Sequence, residues 1–166
     1  MLDPDIQYNL HSGANLVSYP SDKPVTVADG LPDEIEESII GIITENAGCA
    51  QFEDFGWQGS GCIFIGGNGY WVIASADVSF SYDFSTLARS SITYAEEKPS
   101  GYDYIQSTRQ AFYFVKSVAN IQAGDWILSF NGDNLIGSRQ WQGSIIDVPV
   151  MGDDGNSYSE EYLNTG

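Results

Sequence analysis

Apolar and polar positions along this chain follow two different periods, and the shorter one dominates. Asn15-Leu16-Val17-Ser18-Tyr19-Pro20 reads as a first strand, ended by Pro20, which cannot donate to a β-ladder. Residues 1–12 before it read as a polar lead-in, and a polar loop with Pro24 and Gly30 follows. The one helical signal comes next, in Pro32-Asp33-Glu34-Ile35-Glu36-Glu37-Ser38-Ile39-Ile40. Proline suits a first-turn position, acids crowd the positive end of the helix dipole, and Ile35, Ile39 and Ile40 share a face. A short helix over residues 32–40 is therefore expected, the only substantial one in the chain.

Beyond it the pattern predicts strands at 41–46, 49–53, 62–65, 69–74 and 78–83. Gly66-Gly67-Asn68-Gly69 is a turn signal between two of them, and Ser79-Phe80-Ser81-Tyr82-Asp83-Phe84 alternates as a half-buried strand should. Ser/Thr runs, Glu96-Glu97-Lys98, Pro99 and Gly101 mark residues 85–101 as a linker. Strands resume at 110–118, 126–130, 134–139 and 145–150, with Asn131-Gly132 as a hairpin dipeptide. The expected architecture is mostly β: one or two packed, sandwich-like β modules with one short helix. Residues 1–84 form a first module, 85–101 the linker, and 102–166 a second module that ends in a polar tail. Each half carries Trp-Gln-Gly-Ser, at Trp57–Ser60 and Trp141–Ser144, but the flanking residues do not align, so shared turn chemistry explains the pair better than duplication.

Composition sharpens this picture. The chain has 166 residues, 42% of them hydrophobic, enough for one ordinary domain or two small ones. Aromatics reach 13% and glycines number 18, as expected of short strands joined by tight turns. Six Lys+Arg face 23 Asp+Glu, a formal charge of -17. That balance excludes a nucleic-acid footprint and opposes anionic membrane surfaces. The longest apolar patch, Ile39-Ile40-Gly41-Ile42-Ile43, is too short to span a bilayer. The acidic start, Met1-Leu2-Asp3-Pro4-Asp5, lacks the basic-then-apolar pattern of a signal peptide, so an export signal is expected upstream of it.

Catalytic constellations are thin. His11 is the single histidine, and Ser60 lacks a Gly-x-Ser-x-Gly setting. Among 23 acids some pair always lies at a glycosidase-like separation, so the sequence selects none. Gly67-Asn68-Gly69 opens no helix and is a turn, not a phosphate cradle. For ligand binding, Trp57, Tyr70 and Trp141 are candidate platforms for sugar rings, with Trp71 and Trp126 also considered; the competing reading is that these rings form the core. Trp71 and Trp126 sit inside apolar runs and are expected to be largely buried, whereas Trp57 and Trp141 precede Gln-Gly turns and one or the other is expected to be partly exposed. Calcium is the candidate cofactor, at Asp153, Asp154, Asn156 and Glu160, with Glu161 adjoining; Asn131 and Asp133 are a weaker alternative. The spacing is not that of an EF-hand, and a solvated turn is the competing reading.

Several landmarks together resemble known modules. Gly13-Ala14-Asn15-Leu16-Val17-Ser18-Tyr19-Pro20, Trp57-Gln58-Gly59-Ser60 and Gly69-Tyr70-Trp71-Val72 resemble a module that recurs in large secreted proteins of marine bacteria. The second half resembles its usual companion, through Gln110-Ala111-Phe112-Tyr113-Phe114, Gly124-Asp125-Trp126-Ile127, Phe130-Asn131-Gly132-Asp133, Ile136-Gly137 and the stretch from Asp147 to Gly155. Such modules often lie near type IX sorting domains. The resemblance implies export, a non-catalytic accessory role and no catalytic residues. The companion pattern normally continues past residue 166, which implies a truncated fragment.

Cys49 and Cys62 lie outside that pattern, and two readings are open: a disulfide or two buried thiols. Export favours the bridge, because exported proteins meet oxidants. The Phe55-Gly56-Trp57-Gln58-Gly59 turn between them lets the chain double back. The leading functional expectation is a structural or adhesive accessory module, extracellular or at the cell surface. Its partners would be glycans or neighbouring domains of the same polypeptide, without nucleic acid or membrane insertion. Carbohydrate binding is the alternative, and a carboxylate-dependent hydrolase comes third.

Overall fold

A computed structural model describes residues 6–85 and 98–164. The chain divides into two compact units, Met1–Thr93 and Tyr94–Gly166. Most of the segment expected as a linker, residues 86–97, lies outside the described residues. Both units are built from antiparallel strands, so the chain is mostly β.

In the first unit the described elements run β1 (Tyr8–Leu10), β2 (Gly13–Ser18), β3 (Val25–Thr26), α1 (Val27–Gly30), α2 (Asp33–Glu36), β4 (Ile39–Thr44), β5 (Ala47–Phe52), β6 (Gly56–Gln58), β7 (Ile63–Phe64), β8 (Gly69–Ala74) and β9 (Val78–Phe80). A five-stranded sheet in the order β2-β8-β4-β5-β6 is its main feature; β1 pairs with β9 and β3 with β7. The expected helix over 32–40 is corrected to the four residues of α2. Its isoleucines go elsewhere: Ile35 stays helical and buried, while Ile39 opens β4 opposite Ala74. Ile39, Ile40, Ile42 and Ile43 are β-branched, and β4 gains a strand partner on each side, which outweighs a marginal two-turn helix. A second helix, α1, falls in the stretch read as a polar loop. Thr26 caps it, accepting from the Asp29 amide at 3.1 Å while its hydroxyl donates to Asp29 Oδ2 at 2.6 Å.

Inward-facing Val17, Ile42, Tyr70 and Val72 of the sheet pack on Val25, Val27, Leu31, Ile35 and Phe64. Tyr82 stands edge-on to Tyr8, Tyr19, Phe64 and Phe80 within this core. Cys49 of β5 and Cys62, just before β7, form a disulfide with their α-carbons 4.9 Å apart. The Gly61 amide donates to the Gly48 carbonyl at 3.0 Å beside it.

The second unit contains β10 (Arg109–Val115), β11 (Trp126–Asn131), β12 (Asn134–Gln140) and β13 (Ile146–Gly152). β10 pairs with β13 from Arg109↔Gly152 to Val115↔Ile146. β11 and β12 form a hairpin that turns at Gly132, where φ is 60°. The hairpin lies against β13 at one close approach: a Cβ at Gly137 would overlap the Pro149 carbonyl oxygen. Ser129 Oγ donates to that same oxygen at 2.8 Å. Arg139 donates to Asp147 Oδ2 at 3.0 Å, and Asp147 is fully buried. Ile136, Val150, Met151 and Tyr162 form one buried cluster, and Trp141, Ile146 and Val148 another.

Candidate functional site

Two regions collect the residues that the sequence singles out, and a third emerges only from the structure. The acidic turn after β13 is the first. Asp153 Oδ1 accepts from the Gly155 amide at 2.8 Å and from Ser159 Oγ at 3.2 Å. Asp154 Oδ1 accepts from the Asn156 amide at 3.2 Å, from Asn156 Nδ2 at 3.0 Å and from Ser159 Oγ at 2.7 Å. Its Oδ2 accepts from the Thr108 amide at 3.1 Å, from Thr108 Oγ1 at 3.2 Å and from the Tyr158 hydroxyl at 2.8 Å. These donors, Ser159 foremost, hold the Asp154 carboxyl well below the usual carboxylate range. The same contact pushes the Tyr158 hydroxyl up, because it donates to a carboxylate.

Asp153, Asp154 and Asn156 do come together, but as the stitching of a turn that ties the end of β13 to the start of β10. Asp153 Oδ1 and both carboxylate oxygens of Asp154 accept protein hydrogen bonds that would compete with a hard cation. Glu160 lines an adjoining cleft of about 420 Å³ with Glu161, Asp103, Tyr104 and Tyr158, the last of which also bonds Asp154. Among the described residues, no three His, Cys, Asp or Glu side chains gather as a group that could hold a metal. Asn131, of the weaker candidate pair, donates its amide to the carbonyls of Glu161 and Tyr162 at 3.0 and 3.2 Å, while Asp133 is exposed.

The aromatic platforms are the second region, and the expected order of exposure is corrected. Tyr70 is 1% exposed; its hydroxyl accepts from the Ile65 amide at 2.6 Å and fastens the Gly66-Gly67-Asn68 turn. Trp141 is 6% exposed and packs on Ile146 and Val148. Trp57 is half-buried against the core of the first unit, and its Nε1 donates to Glu36 Oε1 at 2.8 Å. Trp126 is half-buried, with the Tyr102 ring edge-on at 5.9 Å. Trp71, expected inside, is 47% exposed.

Trp71 leads to the third region, which sequence reasoning missed: the outer face of the five-stranded sheet. Alternation along β8 puts Tyr70, Val72 and Ala74 inside and leaves Trp71 and Ile73 on the other face. Leu16 of β2 and Ile43 of β4 stand directly opposite Trp71, one on each side. A bulge between Ile39 and Gly41 adds Ile40 to the surface. Leu16 and Ile40 are 63% and 59% exposed. The period-2 pattern of Gly69–Ala74 carried the signal; an apolar residue at every position hid which face was inside.

In comparisons with known proteins, no protein-family model, no curated protein and no solved structure matches this chain. No helix among the described residues is long and apolar enough to cross a membrane.

Proposed function

We propose that this chain is an extracellular, non-catalytic accessory module that gives structure or adhesion to a larger exported polypeptide. The observation that carries the reading is the Cys49–Cys62 disulfide. Such bridges persist in oxidising surroundings and are rare in reducing cytosol. The charge of -17 suits a soluble surface exposed to salt, and the landmark residues of both halves resemble modules of secreted proteins. The reading needs no catalytic group, and the acids closest to forming a site, Asp153 and Asp154, are occupied in shaping a turn.

Cell fractionation with an antibody, combined with alkylation of the endogenous protein before and after reduction, tests the proposal. The expected result is protein in the medium or at the cell surface, with both cysteines alkylated only after reduction. Cytosolic protein with two free thiols would overturn it. On a glycan array the chain is expected to retain no sugar through Tyr70 or Trp141, which are buried, and any sugar retained should be lost on replacing Trp71, the tryptophan that is exposed.

A further inference from the structure

We infer that the outer face of the first unit's five-stranded sheet is a self-association surface, on which a second copy of the chain docks sheet against sheet. The residues come first. By register, Leu16, Trp71 and Ile43 form one row across β2, β8 and β4, and Ala14 and Ile73 form the next. Ile40 projects beside them at the bulge. A sheet whose second face is also apolar is normally covered on that face. Single exposed apolar residues call for no explanation, whereas the largest contiguous apolar patch on a protein is often functional.

Charge selects the occupant. The strands Gly13–Ser18, Ile39–Thr44 and Gly69–Ala74 contain no Asp, Glu, Lys, Arg or His. The rest of the chain carries all of the -17. Two copies repel each other over most orientations, and this face is where they meet without like charges in contact. A basic partner finds no carboxylate here to pair with. A glycan finds little to bond: on β2 and β8 the outward side chains are Ala14, Leu16, Ser18, Trp71 and Ile73, and only Ser18 carries a hydroxyl. Shape agrees, since a broad twisted sheet packs best on another, with strands within ~30° of parallel.

Size sets the strength. Three strands ~4.8 Å apart and six residues long, at ~3.4 Å per residue, give a patch on the order of 300 Å² per copy. A standard stable interface needs ~800 Å² per partner, so this contact is weak and matters where copies are crowded. The inference goes beyond the accessory-module reading and stands without it: a chain that never left the cell would still associate.

Sedimentation equilibrium of the whole chain over a wide concentration range tests it, at about 0.1 M and about 1 M salt, between which the Debye length falls from ~10 to ~3 Å. Reversible self-association that strengthens with salt is expected. Trp71→Lys and Leu16→Lys, both at exposed positions, should each weaken it by about tenfold or more. Each also lowers the net negative charge, so a purely electrostatic account predicts the opposite sign. Ser144→Lys, exposed in the second unit, makes the same charge change off the face and should leave association unchanged or stronger. Far-UV circular dichroism checks that each variant is folded. A monomer under all conditions, association that weakens with salt, or folded Lys variants that associate like the parent would overturn the inference.

Discussion

Tyr82 sits in the middle of an aromatic cluster, and its hydroxyl has no hydrogen-bond partner among the described residues. Burial pushes its pKa far above that of an ordinary tyrosine. A buried hydroxyl left unpaired costs about 1–3 kcal/mol, so Tyr82→Phe is expected to stabilise the first unit by roughly 1 kcal/mol. A higher urea midpoint with an unchanged slope is the measurement. The pH dependence follows from the same burial. A raised folded pKa contributes stability below the unfolded value of about 10 and loses it as pH rises beyond that, because only the unfolded chain ionises freely. Wild-type protein should therefore weaken above about pH 10 more than Tyr82→Phe does. Alternation through Ser79-Phe80-Ser81-Tyr82 made the inward direction of Tyr82 readable in the sequence. The missing partner was not readable, since it depends on what Tyr8, Tyr19 and Phe64 bring to one point.

At the level of elements, legibility tracks how much local pattern and tertiary pairing agree. The strands of the second unit and their Asn131-Gly132 hairpin lie within three residues of the positions expected from alternation and turn chemistry. The helix expected near 32–40 is present but stops at Glu36, because Ile39 and Ile40 also suit a strand and the pairing of β4 with β5 and β8 decides between the two periods. The bridge of Cys49 to Cys62 needed no periodicity, only two cysteines and a turn between them. Gly137 is a different case: its sequence neighbours give no hint that Pro149 presses on it. A methyl there meets backbone, which cannot swing away as a side chain can. Gly137→Ala should thus cost about 1–3 kcal/mol or more, seen as a lowered unfolding midpoint of the second unit while the first is unchanged.

For the whole molecule, composition and turn punctuation foretold a β-rich, acidic chain, and the five-stranded sheet nonetheless hid its orientation. Period-2 patterning sorts residues into two faces but names the inner one only when the other is polar. Along β8 both faces are apolar, so Trp71 was placed inside when Tyr70 and Val72 hold that side. The exposure of Trp71 and the burial of Trp141 escaped for a related reason, since exposure arises from distant packing. Each unit has its own buried cluster, and only the first contains a disulfide. A reductant should therefore lower the first unit's stability alone, by ~3 kcal/mol for a loop of this size. Calorimetry with and without reductant should move one transition and leave the other in place.

The bridge also makes residues 49–62 a covalent ring, with the β5–β6 turn on its outer rim. Glu53, Asp54, Phe55 and Gly56 are all exposed there, and Phe55 is an accessible cleavage point for a chymotrypsin-like protease. A cut at that turn opens the ring without releasing anything, because Cys49 and Cys62 still hold the two fragments together. Brief chymotrypsin digestion should leave one band on a non-reducing gel and two on a reducing one. Separate fragments on the non-reducing gel would mean that cutting had occurred outside the ring. A chain built this way tolerates a nick at this exposed turn and keeps its fragments in one molecule.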